Sequence, residues 1–97
     1  MEQVKTISKS KLYLSKKYKV IFHNDDKTTF EFVSLCLYLF FDKSMDDAIR
    51  LTFEVHNYGF CIAGSNYTKD IAITKQKQVL ELAKQEGFPF QVTVEEE

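Results

Sequence analysis

Three polar side chains follow a short apolar stretch near the beginning of the chain. Tyr18–His23 combines aromatic and β-branched residues, which predicts a strand, and Asn24–Asp26 ends it because such side chains favour turns and caps. One amide and two carboxylates at one edge of a fold are acceptors for a cationic donor. Phe30 and Val33 add an apolar wall beside them. The pattern therefore predicts a site for a ligand with a cationic donor at one end and an apolar group at the other.

A helix is expected to begin directly after this turn. Thr28 and Glu31 have the spacing of a capping box, in which each side chain bonds a free backbone N–H of the first helical turn. The helix is predicted over Thr29–Phe41 and carries apolar residues on nearly every side, which predicts burial on several sides. The turn and the helix start together predict a short, rigid corner.

His56 is the second candidate for binding chemistry. It ends another predicted helix, Met45 to about His56, whose N-cap is Ser44 and whose inner face would use Ala48, Ile49, Thr52, Phe53 and Val55. A single His at a helix C-terminus usually stabilises the last carbonyls. A binding role requires this helix end to lie beside the corner, because Asn24, Asp25 and His56 would then converge on one point.

The rest of the chain predicts a strand, a third helix and a final strand. The strand is Phe60–Gly64, and a loop over Ser65–Thr68 leads to a helix over about Lys69–Gln85 that ends at Gly87. The final strand is Phe88–Glu95, in which apolar and polar residues alternate with period two. The order β-α-α-β-α-β predicts an α+β sandwich, with three helices on a three-stranded antiparallel sheet.

Length and charge limit the domain organisation and the partners. The 97 residues, 44% of them hydrophobic, predict one domain over residues 18–97 behind a flexible arm at residues 1–17. The arm lacks periodicity and carries five Lys against Glu2, a net +4, which leaves −5 on the rest of a chain whose net charge is −1. Nucleic acid is therefore not expected as a partner.

The lengths of the apolar runs and the two cysteines bear on the cellular compartment of the protein. No apolar run reaches the roughly 18 residues that span a bilayer, and the N-terminus lacks the apolar region of a secretory signal. Cys36 and Cys61 lie in predicted apolar elements, which is typical of buried thiols in a reducing compartment. A cytoplasmic location without membrane contact is expected.

Catalytic patterns are sparse. The three glycines are scattered at positions 59, 64 and 87, which disfavours a nucleotide-binding loop. His23, Asp25, Asp26 and His56 offer metal-ligand chemistry, although the two His lack i, i+4 spacing. A small metal-dependent hydrolase is thus an alternative to a non-enzymatic binding protein, which the sequence favours.

The stretch His23–Val33, together with Val55-His56 and Gly64, resembles the ClpS family of bacterial N-end-rule adaptors over about residues 18–95. The resemblance implies a fold similar to the C-terminal domain of a ribosomal stalk protein. It implies binding of substrate proteins that begin with Leu, Phe, Tyr or Trp, a signal called an N-degron. It further implies delivery to the N-terminal domain of the ClpA unfoldase in the ClpAP protease and modulation of ClpA's substrate choice, by a monomer that needs no cofactor.

The resemblance also implies roles for single residues. Asn24, Asp25 and His56 would bind the α-amino group, and Asp26 and Thr28 would shape the corner. The hydrophobic pocket would consist of Phe30, Val33, Thr52, Val55 and Phe90, and the contacts with ClpA would include Asp70 and Lys75.

This chain departs from the family at three of the implied pocket positions. Phe30 and Thr52 stand where Met is common, and Phe90 stands where Leu is usual. The preference among the four N-terminal residues is therefore left open. An ATPase-docking regulatory module without N-degron recognition is the alternative. The resemblance and the arm's lack of periodicity together imply that the unfoldase engages the arm during delivery. Its 17 residues can reach at most about 60 Å, which is enough to enter an ATPase pore.

Overall fold

The computed structural model describes residues 16–97, so the arm expected at residues 1–17 lies almost wholly outside the described residues. Six elements follow one another: β1 (Tyr18–His23), α1 (Phe30–Phe40), α2 (Met45–Tyr58), β2 (Phe60–Tyr67), α3 (Lys69–Glu86) and β3 (Gln91–Glu96). The element order predicted from the sequence is therefore confirmed.

The three strands form an antiparallel sheet with β1 in the centre, in the order β2-β1-β3. Phe22 on β1 lies opposite Cys61 on β2 and Val92 on β3. Because side chains alternate along a strand, this register turns all three residues to one face, where the helices cover them. The predicted sandwich of helices on a three-stranded sheet is confirmed.

The core is centred on Phe22, which is fully buried. Its ring lies 5.4 Å from that of Phe41 and 4.9 Å from that of Phe90, both in edge-on geometry. Each buried Phe contributes roughly 1.5–3 kcal/mol to folding. Cys36 and Cys61 are also buried, and burial raises the pKa of each thiol to about 12.

The ends of α2 and α3 follow the local signals in the sequence. Ser44 caps α2 by accepting a hydrogen bond from the Asp47 N–H at 3.1 Å, and Thr68 caps α3 in the same way. Gly59 and Gly87 end these helices in the left-handed conformation, at φ 92° and 76°. The predictions of Ser44 as the N-cap of α2 and of Gly87 as the end of α3 are therefore confirmed.

The predicted capping box at the start of α1 is wrong. Thr29 is the N-cap, and its hydroxyl accepts from the Phe32 N–H at 3.2 Å. Thr28 does not cap the helix because its hydroxyl donates to Asp25, inside the corner. Glu31 then no longer has the N3 position that a capping box requires.

Strand β2 is longer than the sequence predicted, and β3 is shorter. The expected loop at Ser65–Thr68 is mostly strand, because a bulge lets β2 continue against β1: Val20 pairs with Gly64, and Tyr18 with Tyr67. The Tyr67 ring then covers Gly64, where a Cβ would approach ring carbons to 2.7 Å. At the other end of the chain, Phe88 precedes β3 and donates its N–H to the Ala83 carbonyl.

The outer sides of α1 and α2 are more exposed than predicted. Leu35, Tyr38 and Leu39 on α1 lie on the surface instead of being buried on several sides. On α2 the expected inner-face residues Ile49 and Phe53 are exposed, while Leu51 is buried. The reason is that both helices cover one face of a small sheet, so their far sides have no described neighbour. No helix in residues 16–97 is long and apolar enough to cross a membrane.

Candidate functional site

The corner after β1 lies against the C-terminal end of α2. Strand β2 begins directly after the Gly59 cap and pairs antiparallel with β1, so that His23 faces Phe60. The N–H of Asn24 donates to the Gly59 carbonyl at 2.9 Å. Sheet pairing therefore brings the last turn of α2, which carries His56, beside the Asn24–Asp26 turn. This is the arrangement that a binding role for His56 requires.

A small pocket of about 60 Å³ opens between the corner and α2. Asn24 and His56 are exposed at its edge, whereas Val33, Thr52 and Val55 are buried. The complete lining is Asn24, Thr28, Thr29, Phe30, Val33, Thr52, Val55 and His56. The structure therefore brings together seven of the residues named from the sequence, with Asn24 and His56 exposed at the opening and Val33, Val55 and the polar Thr52 buried inside.

Asp25 organises the corner. One carboxylate oxygen accepts the N–H groups of Lys27 and Thr28 at 2.8 and 2.7 Å, and the other accepts the Thr28 hydroxyl at 2.6 Å. Partial burial raises the pKa of Asp25, but these hydrogen bonds outweigh it and hold the pKa below its ordinary value. A carboxylate has about four acceptor sites, so these three bonds leave one site on Oδ2 unused.

Three of the residues named for this site do not line the pocket: Asp25, Asp26 and Phe90. Asp26 is exposed and makes no side-chain hydrogen bond to another described residue, so Asp25 and Thr28 shape the corner without it. Phe90 is buried in the core against Phe22 and Phe32, at ring distances of 4.9 and 6.0 Å, and does not line the pocket.

Ser34 supports the pocket residue Thr52, and it was not among the residues named from the sequence. Its hydroxyl lies 2.8 Å from the Thr52 hydroxyl in the buried contact between α1 and α2. Thr52 donates its proton to the Ala48 carbonyl at 2.7 Å, so Ser34 must donate to Thr52. The only sign of this role in the sequence is a single Ser among the apolar residues of α1. It indicates a buried hydrogen bond only once Thr52 on α2 is known to be its partner.

His23 lies on the side of the sheet opposite Phe22, where its Nε2 is 2.8 Å from the Thr93 hydroxyl. Within residues 16–97, no three or more His, Cys, Asp or Glu side chains are close enough together to hold a metal ion. In this part of the chain, His23, Asp25, Asp26 and His56 therefore do not form the ligand set that the hydrolase alternative needs.

Asp70 and Lys75 line a second depression, on α3. Its volume is about 270 Å³, and Ile71, Thr74 and Gln78 complete it. Asp70 is exposed in the first turn of α3, where the helix dipole stabilises a negative charge. The Lys75 ammonium donates to the carbonyl of Phe40 and lies 5.5 Å from the rings of Phe41 and Tyr67. Lys75 therefore ties α3 to the end of α1 instead of pointing freely into solvent.

Comparison with known proteins assigns the chain to a class. The family model described as ATP-dependent Clp protease adaptor protein ClpS matches residues 14–93. The solved structure of Agrobacterium tumefaciens ClpS2 bound to L-phenylalaninamide is 38% identical, with a TM-score of 0.81 over 86% of this chain and 99% of that one. Fold and sequence together define an adaptor of a Clp protease.

Curated relatives place the chain within that class. The ATP-dependent Clp protease adapter protein ClpS of Campylobacter jejuni (strain 81-176) is 42% identical over all 97 residues of both chains. The protein of the same name from Clostridium acetobutylicum is 47% identical over 88 residues, which are 91% of this chain and 86% of the relative. The chain belongs to the ClpS family.

Proposed function

We propose that this Clp protease adaptor binds the first residue of substrate proteins that begin with Leu, Phe, Tyr or Trp, and delivers them to the ClpA unfoldase of ClpAP. The observation that carries the proposal is that Asn24 and His56 lie together at the opening of a pocket whose other walls include Phe30, Val33 and Val55. In this role the chain is a non-catalytic monomer that recruits substrates and modulates ClpA's choice among them.

The polar groups at the opening suit a free α-amino group. Such a group has a pKa of roughly 7.7–8.0, so near neutral pH it is largely a cation with three donors. The Asn24 amide oxygen and a neutral His56 nitrogen accept two of its protons, and the unused Oδ2 site of Asp25 supplies a third acceptor and a negative charge. Hydrogen bonds to charged groups contribute roughly 1.5–3 kcal/mol each.

The apolar walls suit the first side chain of the substrate. Phe30, Val33 and Val55 contact it in this proposal, and burial of a Leu or Phe side chain contributes roughly 1.5–3 kcal/mol. After the cost of association, the sum is consistent with a micromolar dissociation constant, about −8 kcal/mol. Steric exclusion then disfavours side chains that branch at Cβ.

The ligand of the related solved structure supports this assignment. L-Phenylalaninamide, bound by A. tumefaciens ClpS2, offers a free α-amino group, a Phe side chain and an amide in place of a carboxylate. These are the features of a protein that begins with Phe. For docking on the ClpA N-terminal domain we propose the α3 depression, where Asp70 is the exposed charge and Ile71 an exposed apolar contact.

One observation favours the alternative of a docking module that does not recognise N-degrons. The pocket measures only about 60 Å³, less than a quarter of the depression on α3. In the N-degron interpretation it must therefore widen when a large side chain enters.

Titration with a fluorescent peptide separates the two functions. A peptide that begins with Phe should bind, and the same peptide with an acetylated N-terminus should not, because acetylation removes the charge and two donors. Absence of binding by the free peptide would leave the docking module as the function. Equal binding of both peptides would refute the assigned roles of Asn24 and His56.

A further inference from the structure

The small pocket shares a wall with a larger apolar groove. The groove has a volume of about 280 Å³ and runs between α1 and α2, lined by Phe30, Glu31, Ser34, Leu35, Met45 and Ile49. Phe30 lines both spaces. Its ring is therefore part of the wall, and a movement of that ring would add groove space to the pocket.

The wall has one fixed part and one loosely held part. The fixed part is the buried Ser34–Thr52 hydroxyl pair, which is tied to the Ala48 carbonyl. The loosely held part is the ring of Phe30, whose side chain is 37% exposed. Its described aromatic partner is Phe53 on α2, at a ring distance of 4.9 Å and an interplanar angle of 64°.

We propose that Phe53, which lines neither space, sets the selectivity of the pocket by holding the Phe30 ring in the wall. The inference rests on the proposed function and adds a positioning residue to it. Phe53 acts through an edge-to-face contact, which stabilises one orientation of the neighbouring ring. Without this contact the Phe30 ring turns toward the groove, and the pocket admits side chains that branch at Cβ.

The proposed movement requires no change in the backbone. Phe30 is the first residue of α1, directly after the Thr29 cap, so its main chain is fixed by the helix start. Exposed side chains change rotamer in picoseconds to nanoseconds.

The test compares two peptides that differ only in the first residue, Phe or Ile, on the full chain. In Phe53→Ala the preference for Phe over Ile should fall about fivefold, because an aromatic contact that holds the wall is lost. Phe53→Tyr keeps the ring and should retain the preference of the unmodified protein. Leu39→Ala is the matched control, since Leu39 is equally exposed at 52% and lines neither space.

The outcomes separate this inference from the proposed function. An unchanged preference in Phe53→Ala, in a protein that binds the Phe peptide, would overturn the inference alone. Failure of the unmodified protein to bind the Phe peptide would overturn the proposed function and the inference with it. Thermal unfolding checks the fold of each variant, and Phe53→Leu, which keeps an apolar side chain without a ring edge, replaces Phe53→Ala in the comparison if that variant is unfolded.

Discussion

The His56 side chain is the residue on which recognition of an α-amino group depends most. It is exposed at the pocket opening, and little in the fold relies on it. His56→Ala should weaken binding of a Phe peptide by about 10- to 100-fold, because it removes one hydrogen bond to a charged donor, roughly 1.5–3 kcal/mol. Fluorescence anisotropy with the labelled peptide measures the change.

The neighbouring residue provides the control for His56. Asn57 is exposed in the same helical turn but does not line the pocket, so Asn57→Ala should bind the peptide as the unmodified protein does. A His56→Ala variant that binds equally well would show that the imidazole does not contact the substrate.

The Asp25 carboxylate should make the stability of the corner depend on pH. Its pKa in the folded protein lies below the ordinary value, so its contribution is complete above the unfolded pKa of about 3.9 and is lost as the pH falls through the lower folded pKa. Asp25→Asn should lower the free energy of unfolding by about 1–2 kcal/mol near pH 7, because hydrogen bonds to a charged acceptor become neutral ones. Urea unfolding from about pH 7 to pH 3 should show this difference shrinking.

Asp26→Asn is the matched control for that measurement. Asp26 is exposed and makes no side-chain hydrogen bond to a described residue, so its variant should unfold like the unmodified protein at every pH. If the two variants lose the same stability, then Asp25 does not organise the corner.

The sequence identified Asn24 and His56 as candidates. It could not predict that the two lie close together, or that Asp25 and not Asp26 accepts the hydrogen bonds of the corner. A turn after a strand and a His at a helix end are local signals. The hydrogen bond from the Asn24 N–H to the Gly59 carbonyl joins them, and it depends on the pairing of two distant strands. Asp25 and Asp26 have the same chemistry, and only the path of the backbone decides which carboxylate faces Thr28.

At the scale of elements, one buried polar contact joins α1 to α2. Thr52→Val should cost roughly 1–3 kcal/mol of unfolding free energy, because it leaves the buried Ser34 hydroxyl without its partner. Ser34→Ala should cost less, since Thr52 still donates to Ala48. The double variant should cost less than the sum of the two, and urea unfolding of all four proteins measures this coupling. Additive costs would mean that the two hydroxyls do not interact.

Elements whose ends carry their own signals were predicted well. Ser44, Gly59, Thr68 and Gly87 act through bonds or backbone angles within their own turns. The exposed side of α1 was not predictable, because an apolar pattern shows that a helix can be buried but not how many neighbours it has. The length of β2 was missed for a similar reason, since its bulge forms only against β1.

At the scale of the whole molecule, the proposed pocket and the proposed docking depression are built from different elements. The pocket uses the corner, α1 and α2, whereas the depression lies on α3. Lys75 on α3 bonds the carbonyl of Phe40 at the end of α1, but it does not line the pocket. In the proposed function, binding of a substrate and docking on an unfoldase therefore use separate surfaces, and both should be possible at once.

In the proposed function, delivery also requires the arm expected at residues 1–17, which belongs to neither surface. The described chain begins at Lys16, whose ammonium lies 3.7 Å from Glu96, and the Glu97 N–H donates to the Lys17 carbonyl. Deletion of residues 2–15 leaves these contacts and the pocket in place, so the affinity for a Phe peptide should not change. Degradation of a reporter that begins with Phe by ClpAP should be lost, because the fourteen deleted residues, with a reach of up to about 50 Å, would no longer be offered to the unfoldase. Degradation at the normal rate by the shortened adaptor would show that handover does not require the arm.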